Sequence, residues 1–217
     1  MDLDVDFGAA RPDVVDHVLA ACAEPRPSAA LLDGLPISVR VRALLRLAAV
    51  ESPTAELVVR CTCGESLEIE LPLERIADDP DEIAGDVRVA GRRLRVPTAR
   101  DQRMFAHATT RLALASTLLA EGPPLEPDLV PDIERALADA DPLVEFFVTT
   151  TCPSCGVTIR SDVDLEALAL ARLAHLQGVL VVAIHRLASA YHWSESDVLA
   201  LPGWRRQRYL DLIRGEA

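Results

Sequence analysis

The sequence predicts an α+β fold: mainly helical, with a split set of β-hairpins and a long C-terminal helix followed by short helices. Two stretches of alternating apolar and polar residues turn on cysteine and glycine, ELVVRCTCGESLEIELP (56–72) and EFFVTTTCPSCGVTIRSDV (145–163), and read as half-buried strand pairs. Helical spacing broken by proline and glycine precedes the first, and a leucine-rich stripe without proline follows the second, from 164 to 191.

Taken in order, residues 11–24 (RPDVVDHVLAACAE) form a first helix, with Pro12 near its start and Val14, Val15, Val18 and Leu19 on one side. EPRPS is a loop, and SAALLDGLP and ISVRVRALLRLAAV give two more helices, split at Gly34 and Pro36. The period then changes to two, with Leu67, Ile69 and Leu71 alternating against Glu68 and Glu70. DVRVAGRRLRVPT (86–98) is a further hairpin, with Val87 and Val89 facing Leu94 and Val96 across a turn at Gly91. Thr98 and Asp101 resemble a capping box that opens a helix through about Ala120. EGPPLEPDLVP breaks it, PDIERALADADP is another short helix, and the hairpin at 145–163 follows. The long helix, roughly Asp164 to Tyr191, exceeds the average of about 11–12 residues. Leu165, Leu168, Leu173, Leu176, Leu180, Ile184 and Leu187 make one stripe, and Leu170, Val181 and Val182 widen it, which predicts burial on two sides. Ser194 and Asp197 cap SDVLAL, and Pro202 opens the last helix, PGWRRQRYLDLIR.

The composition bounds the function. The 217 residues are 50% apolar but only 4% aromatic, so the core is built of Leu, Val and Ala. The net charge of −12 opposes general binding to nucleic acid or anionic membranes. MDLDVDFGAA lacks the basic and apolar regions of a signal peptide. LAHLQGVLVVAIHRLASA (173–190) carries two His, a Gln and an Arg and reads as too polar for a membrane span, so a cytoplasmic location is expected. In that compartment five cysteines are metal ligands or free thiols rather than a disulfide framework.

Four of them form a constellation. In CPSCG (152–156) proline sets a tight turn and glycine takes a positive φ, so that Cys152 and Cys155 point at one ion. RCTCGESLE (60–68) supplies Cys61 and Cys63, one residue closer together than in the usual knuckle. Two such hairpin tips make a split zinc-ribbon-like unit, with Cys61, Cys63, Cys152 and Cys155 offering four sulfurs to a structural Zn²⁺. The alternatives are a thiol set that has lost its metal and a redox CxxC. The redox reading wants Cys152 at a helix N-terminus, whereas β-type residues follow it. Cys22 reads as a core thiol.

No catalytic motif accompanies this set. HExxH, GxSxG, GxxxxGK[ST] and GxGxxG are absent, and His17, His107, His175, His185 and His192 never fall at i, i+4. Asp78–Asp79 and Asp81–Glu82 sit in ADDPDE, a solvated loop. The expectation is a protein that is not an enzyme. The segments are 1–50, helical; 51–163, the split ribbon with a hairpin-and-helix lobe inserted at about 86–144; and 164–217, the long helix with a C-terminal helical hairpin.

Five strings occur in order: LPISVRVRALLRL (35–47), CGESLEIEL (63–71), LRVPTARDQ (94–102), TCPSCG (151–156) and IHRLASAYHWSESDVLALPGWRRQRYLDLI (184–213). Together they resemble the baseplate hub assembly chaperone-like family of contractile phage tails and phage-tail-like injection systems, over most of residues 30–213. The resemblance implies a non-enzymatic role in building a baseplate, with hub, wedge or spike proteins as partners and no small-molecule substrate. It also implies that the cysteine turns correspond to paired CPxCG knuckles. The first departs from that pattern, with Arg60 in the place of its first cysteine and Cys61 one position late. The expected partner surface is the far side of the long helix with Tyr191, Trp193, Trp204, Arg205 and Arg206, unless that side packs on the inserted lobe. An alternative of another class is a zinc-ribbon accessory protein that binds nucleic acid or transcription machinery through the Arg-rich last helix.

Overall fold

Apolar spacing and chain breakers place most of the helices where the sequence predicts them in the computed structural model, which describes residues 4–78, 85–105 and 109–215. Helix α1 (Asp13–Cys22) starts directly after Pro12 and buries Val14, Val15, Val18 and Leu19. Ser28 caps α2 (Ala29–Gly34), its hydroxyl accepting from the Leu31 N–H at 3.2 Å. Helix α3 (Ile37–Ala49) buries Val41, Leu44, Leu45 and Ala48. These meet Leu165, Ala169, Leu170 and Leu173, from the first half of a much longer helix, in the main core.

Strands β1 (Thr54–Arg60) and β2 (Ser66–Pro72) pair antiparallel, with Val59 opposite Leu67. The short helix α4 (Leu73–Ala77) returns under the hairpin, where the Leu73 N–H donates to Pro53 O at 2.8 Å. Ala55, Leu71, Leu73 and Ala77 join the main core, so the root of the hairpin is anchored and its cysteine tip projects.

The inserted lobe begins with β3 (Asp86–Val89) and β4 (Arg92–Arg95). Ala90 and Gly91, with φ of 47° and 75°, form a two-residue turn in which both central residues are left-handed. That turn sets Val87 opposite Leu94 and Val89 opposite Arg92, so Val96 lies beyond the ladder instead of within it as the sequence suggested. The helix expected through Ala120 is two, α5 (Ala99–Phe105) and α6 (Arg111–Leu118). Thr110 is extended and restarts the helix, its hydroxyl accepting from the Ala113 N–H at 3.1 Å. Residues Leu119–Glu121 leave the helix to add a strand, β5, to the free edge of β4, where Arg93 pairs with Glu121 at 2.5 Å. After a 3₁₀ turn, α7 (Val130–Ala140) packs Ile133 against Val87, Leu94, Ala115 and Leu118. The lobe therefore has its own core.

Strands β6 (Phe147–Thr151) and β7 (Thr158–Asp162) make the last hairpin. Helix α8 (Leu165–Tyr191) follows, capped by Asp164 and closed by His192 in the left-handed conformation, φ 58°. The Ser194–Asp197 capping box opens α9 (Glu195–Ala200), and α10 (Gly203–Arg214) folds back on α8 around Ala183, Leu187, Val198 and Leu210. By length and composition α8 is apolar enough to cross a membrane, with a mean hydropathy of 1.9 over 18 residues, which corrects the reading of 173–190 as too polar. The polar residues there are too few to offset its valines and leucines. Only 22% of that window is buried, and a core helix of a water-soluble protein passes the same test.

A polar seam ties the lobe to the body. The fully buried Arg40 donates to Asp16 at 2.5 Å, to Pro12 O at 2.9 Å and to Leu32 O at 3.1 Å. Arg103 of α5 donates to Asp13 at 3.0 Å and to Asp16 and Asp33. Glu166 is buried beside them and accepts from Arg11 and Gln102, each at 3.4 Å. Burial pushes its carboxyl above the ordinary range, and Arg11 and Arg40 only partly oppose this.

Candidate metal centre

The two hairpin tips meet. The sulfurs of Cys61, Cys63, Cys152 and Cys155 all lie within 4.8 Å of one another. Across the tips Cys61 is 3.6 Å from Cys155 and Cys63 is 3.7 Å from Cys152. Four thiolates placed tetrahedrally about one ion at ~2.3 Å have edges of ~3.8 Å. The set thus fits one thiolate-bound ion, and every sequence-predicted ligand is present.

The backbone explains the odd C-x-C spacing. Cys61 follows the last residue of β1 as Cys152 follows the last residue of β6. The Cys61 N–H donates to Glu65 O at 2.8 Å, and the Cys152 N–H donates to Val157 O at 2.9 Å. In both turns the glycine N–H returns to the carbonyl of the first cysteine: Gly64 to Cys61 at 3.0 Å, Gly156 to Cys152 at 2.9 Å. Gly64 and Gly156 have φ of 96° and 74°, which only glycine adopts without strain. Cys61 therefore holds the same place as Cys152, and the first turn is one residue shorter between its cysteines. This corrects the alignment that put Arg60 in the cysteine position; Arg60 is the last residue of β1, opposite Ser66.

Burial divides the set. Cys61 and Cys152 are buried, whereas Cys63 and Cys155 face solvent. The Cys63 N–H donates toward the Cys61 sulfur, and the Cys63, Cys155 and Cys152 thiols add to it, bringing Cys61 down to about 7 against its burial. The Val157 N–H favours the Cys155 thiolate, but the neighbouring sulfurs, Cys61 foremost, outweigh it and push Cys155 up to about 12. Cys63 is raised in the same way, with the Glu65 N–H opposing and Cys61 prevailing. One thiolate forms readily and repels the next, which is the electrostatic state that a bound cation relieves. A further link was not legible in the sequence: the Ser154 hydroxyl donates to Glu65 Oε2 at 2.8 Å and joins the tips outside the sulfurs.

Among the described residues no other group of three or more His, Cys, Asp or Glu side chains gathers in this way. His17, His175, His185 and His192 are all exposed and stand apart from the cysteines. Cys22 is half-buried against the main core. Asp78 is exposed and pairs with Arg46 at 2.9 Å. His107, Asp79, Asp81 and Glu82 lie outside the described residues.

The candidate partner residues divide as well. Tyr191 and Trp193 stack at 4.8 Å and meet Tyr209 edge-on at 5.5 and 5.0 Å, filling the small core of the C-terminal hairpin. Trp204 is 68% exposed, with the Arg205 guanidinium 5.2 Å from its ring. Arg206 is half-buried on α10. Compared with family models, with curated proteins and with solved structures, the chain matches none.

Proposed function

We propose that this protein is a non-enzymatic, cytoplasmic assembly or structural factor whose two cysteine hairpins are clasped by a structural Zn²⁺. The observation that supports the zinc reading is the gathering of four sulfurs within 4.8 Å of one another, enough to fill all four positions of a tetrahedral ion and to leave none for water or substrate. Such a site fixes shape and does no chemistry. Zinc suits it because four soft thiolates in tetrahedral array favour that ion. Metal analysis after zinc-replete expression tests this: about one equivalent per chain is expected, and less than a quarter would sink the reading.

The resemblance in the ordered strings gives this factor its setting, the baseplate of a contractile phage-tail-like particle, with hub, wedge or spike proteins as partners. A rigid clasp between two hairpins and a helical body is the equipment of a scaffold. Co-purification from cells that carry a tail gene cluster tests the setting. It fails if no tail protein accompanies the tagged chain and its deletion leaves assembled tails intact.

A further inference from the structure

The second half of α8 is built differently from the first. Val179 is 54% exposed and Val182 50%, although both lie in the most apolar part of the chain. On one side stands the C-terminal end of α3, with Leu47 and with Val50 71% exposed. On the other stands α10, with Leu210 at its base. Together they line an open cleft of about 800 Å³ whose floor is α8 from His175 to Arg186.

The rim carries the second observation. Arg186 and Arg214 line the cleft, and among the described residues that line it Glu51 is the only carboxylate. No ion pair among the described residues engages Arg186 or Arg214. In a chain of net charge −12 this is a local excess of cations around an apolar floor.

We propose that the cleft binds an amphipathic helix of a protein partner, with leucine-like residues on one face and Asp or Glu flanking them. The concave shape selects a helix over a bilayer, because a flat surface cannot reach a floor set between two walls. A second copy of this chain is a poor source. Its acidic amphipathic helices α1 and α7 already spend their apolar faces, Val15 and Val18 in one case and Ile133 in the other, in cores. Opposite charge at the rim would fix the register of the bound helix and speed its arrival. This deepens the proposed assembly role by naming the chemistry of the partner, and its test uses no tail protein, so the two stand or fall apart.

The probe is a fluorescein-labelled synthetic helix of about 14 residues, long enough to span the floor, with Leu at i, i+3, i+4, i+7 spacing and Glu elsewhere. Anisotropy with the full, metal-loaded chain should show saturable binding. Arg186→Glu combined with Arg214→Glu should weaken it about tenfold, and Val182→Asp by at least as much. A peptide with Lys for Glu should bind about tenfold less well than the acidic one. All these substitutions are at solvent-facing positions, and unchanged circular dichroism verifies folding. Absence of saturable binding, or equal binding of the two peptides, overturns the proposal. So does capture by phosphatidylserine vesicles that Val182→Asp abolishes while the peptide stays unbound. A dimer in light scattering that Val182→Asp disperses overturns it too.

Discussion

At the residue scale the cysteines are not equivalent, yet the proposed four-sulfur site needs all of them. Cys61→Ser should lower bound zinc from about one equivalent to a small fraction, by metal analysis, while Cys22→Ser leaves it unchanged. The knuckle residues were legible because cysteine, proline and glycine each serve a local backbone need. The position of the shortening was not, because it is set by hydrogen bonds such as Cys61 N–H to Glu65 O, which the spacing of cysteines does not encode. The seam around Arg40 was also invisible, since Asp13, Asp16, Asp33, Arg40 and Arg103 come from four separate helices. Asp16→Ala strands the buried Arg40 guanidinium and should cost about 3 kcal/mol in chemical denaturation. Glu166 acts in the opposite sense. Its folded carboxyl titrates above the ordinary value, so the folded state holds a proton there that the unfolded chain releases. Stability from this group is present at low pH and is lost as pH rises through the raised value. Glu166→Gln should therefore gain more stability over the parent at pH 7 than at pH 4 in paired denaturation curves.

At the element scale, helices with strong apolar spacing and the strands of the three hairpins were readable, and the added strand β5 was not. β5 is three residues long, and Leu119 and Glu121 become strand only because β4 offers an open edge. The break between α5 and α6 is likewise marked by a single cap, Thr110, in a run of otherwise good helix formers. Within α8, Gly178 is helical and a Cβ added there would meet nothing within 4 Å. Gly178→Ala should stabilise the protein by about 0.5–1 kcal/mol, because it lowers the backbone entropy of the unfolded chain without a clash. A loss of stability in thermal melts would mean that the cleft floor is closed by something unseen at that position.

At the scale of the whole molecule, the fold class and the pairing of the two cysteine turns followed from the sequence, whereas the arrangement of cores did not. One core unites α1, α3, α4 and the first half of α8, so segments far apart in the chain share a single interior. That core contains none of the metal-site cysteines. Chelation should accordingly leave most of the helical circular dichroism in place while amide exchange quickens in 54–72 and 147–162. The melting temperature should fall by about 5–15 °C. Acidification should release the metal as the thiolates take up protons. The separation of the cysteine turns has a consequence in time. On a translating ribosome the first tip emerges well before the second, and at about 5–20 residues per second the interval is on the order of 5–20 s. During those seconds Cys61 and Cys63 are a waiting pair with no mate, open to whichever ion or oxidant arrives first. The clasp can thus close only after the whole inserted lobe has left the tunnel.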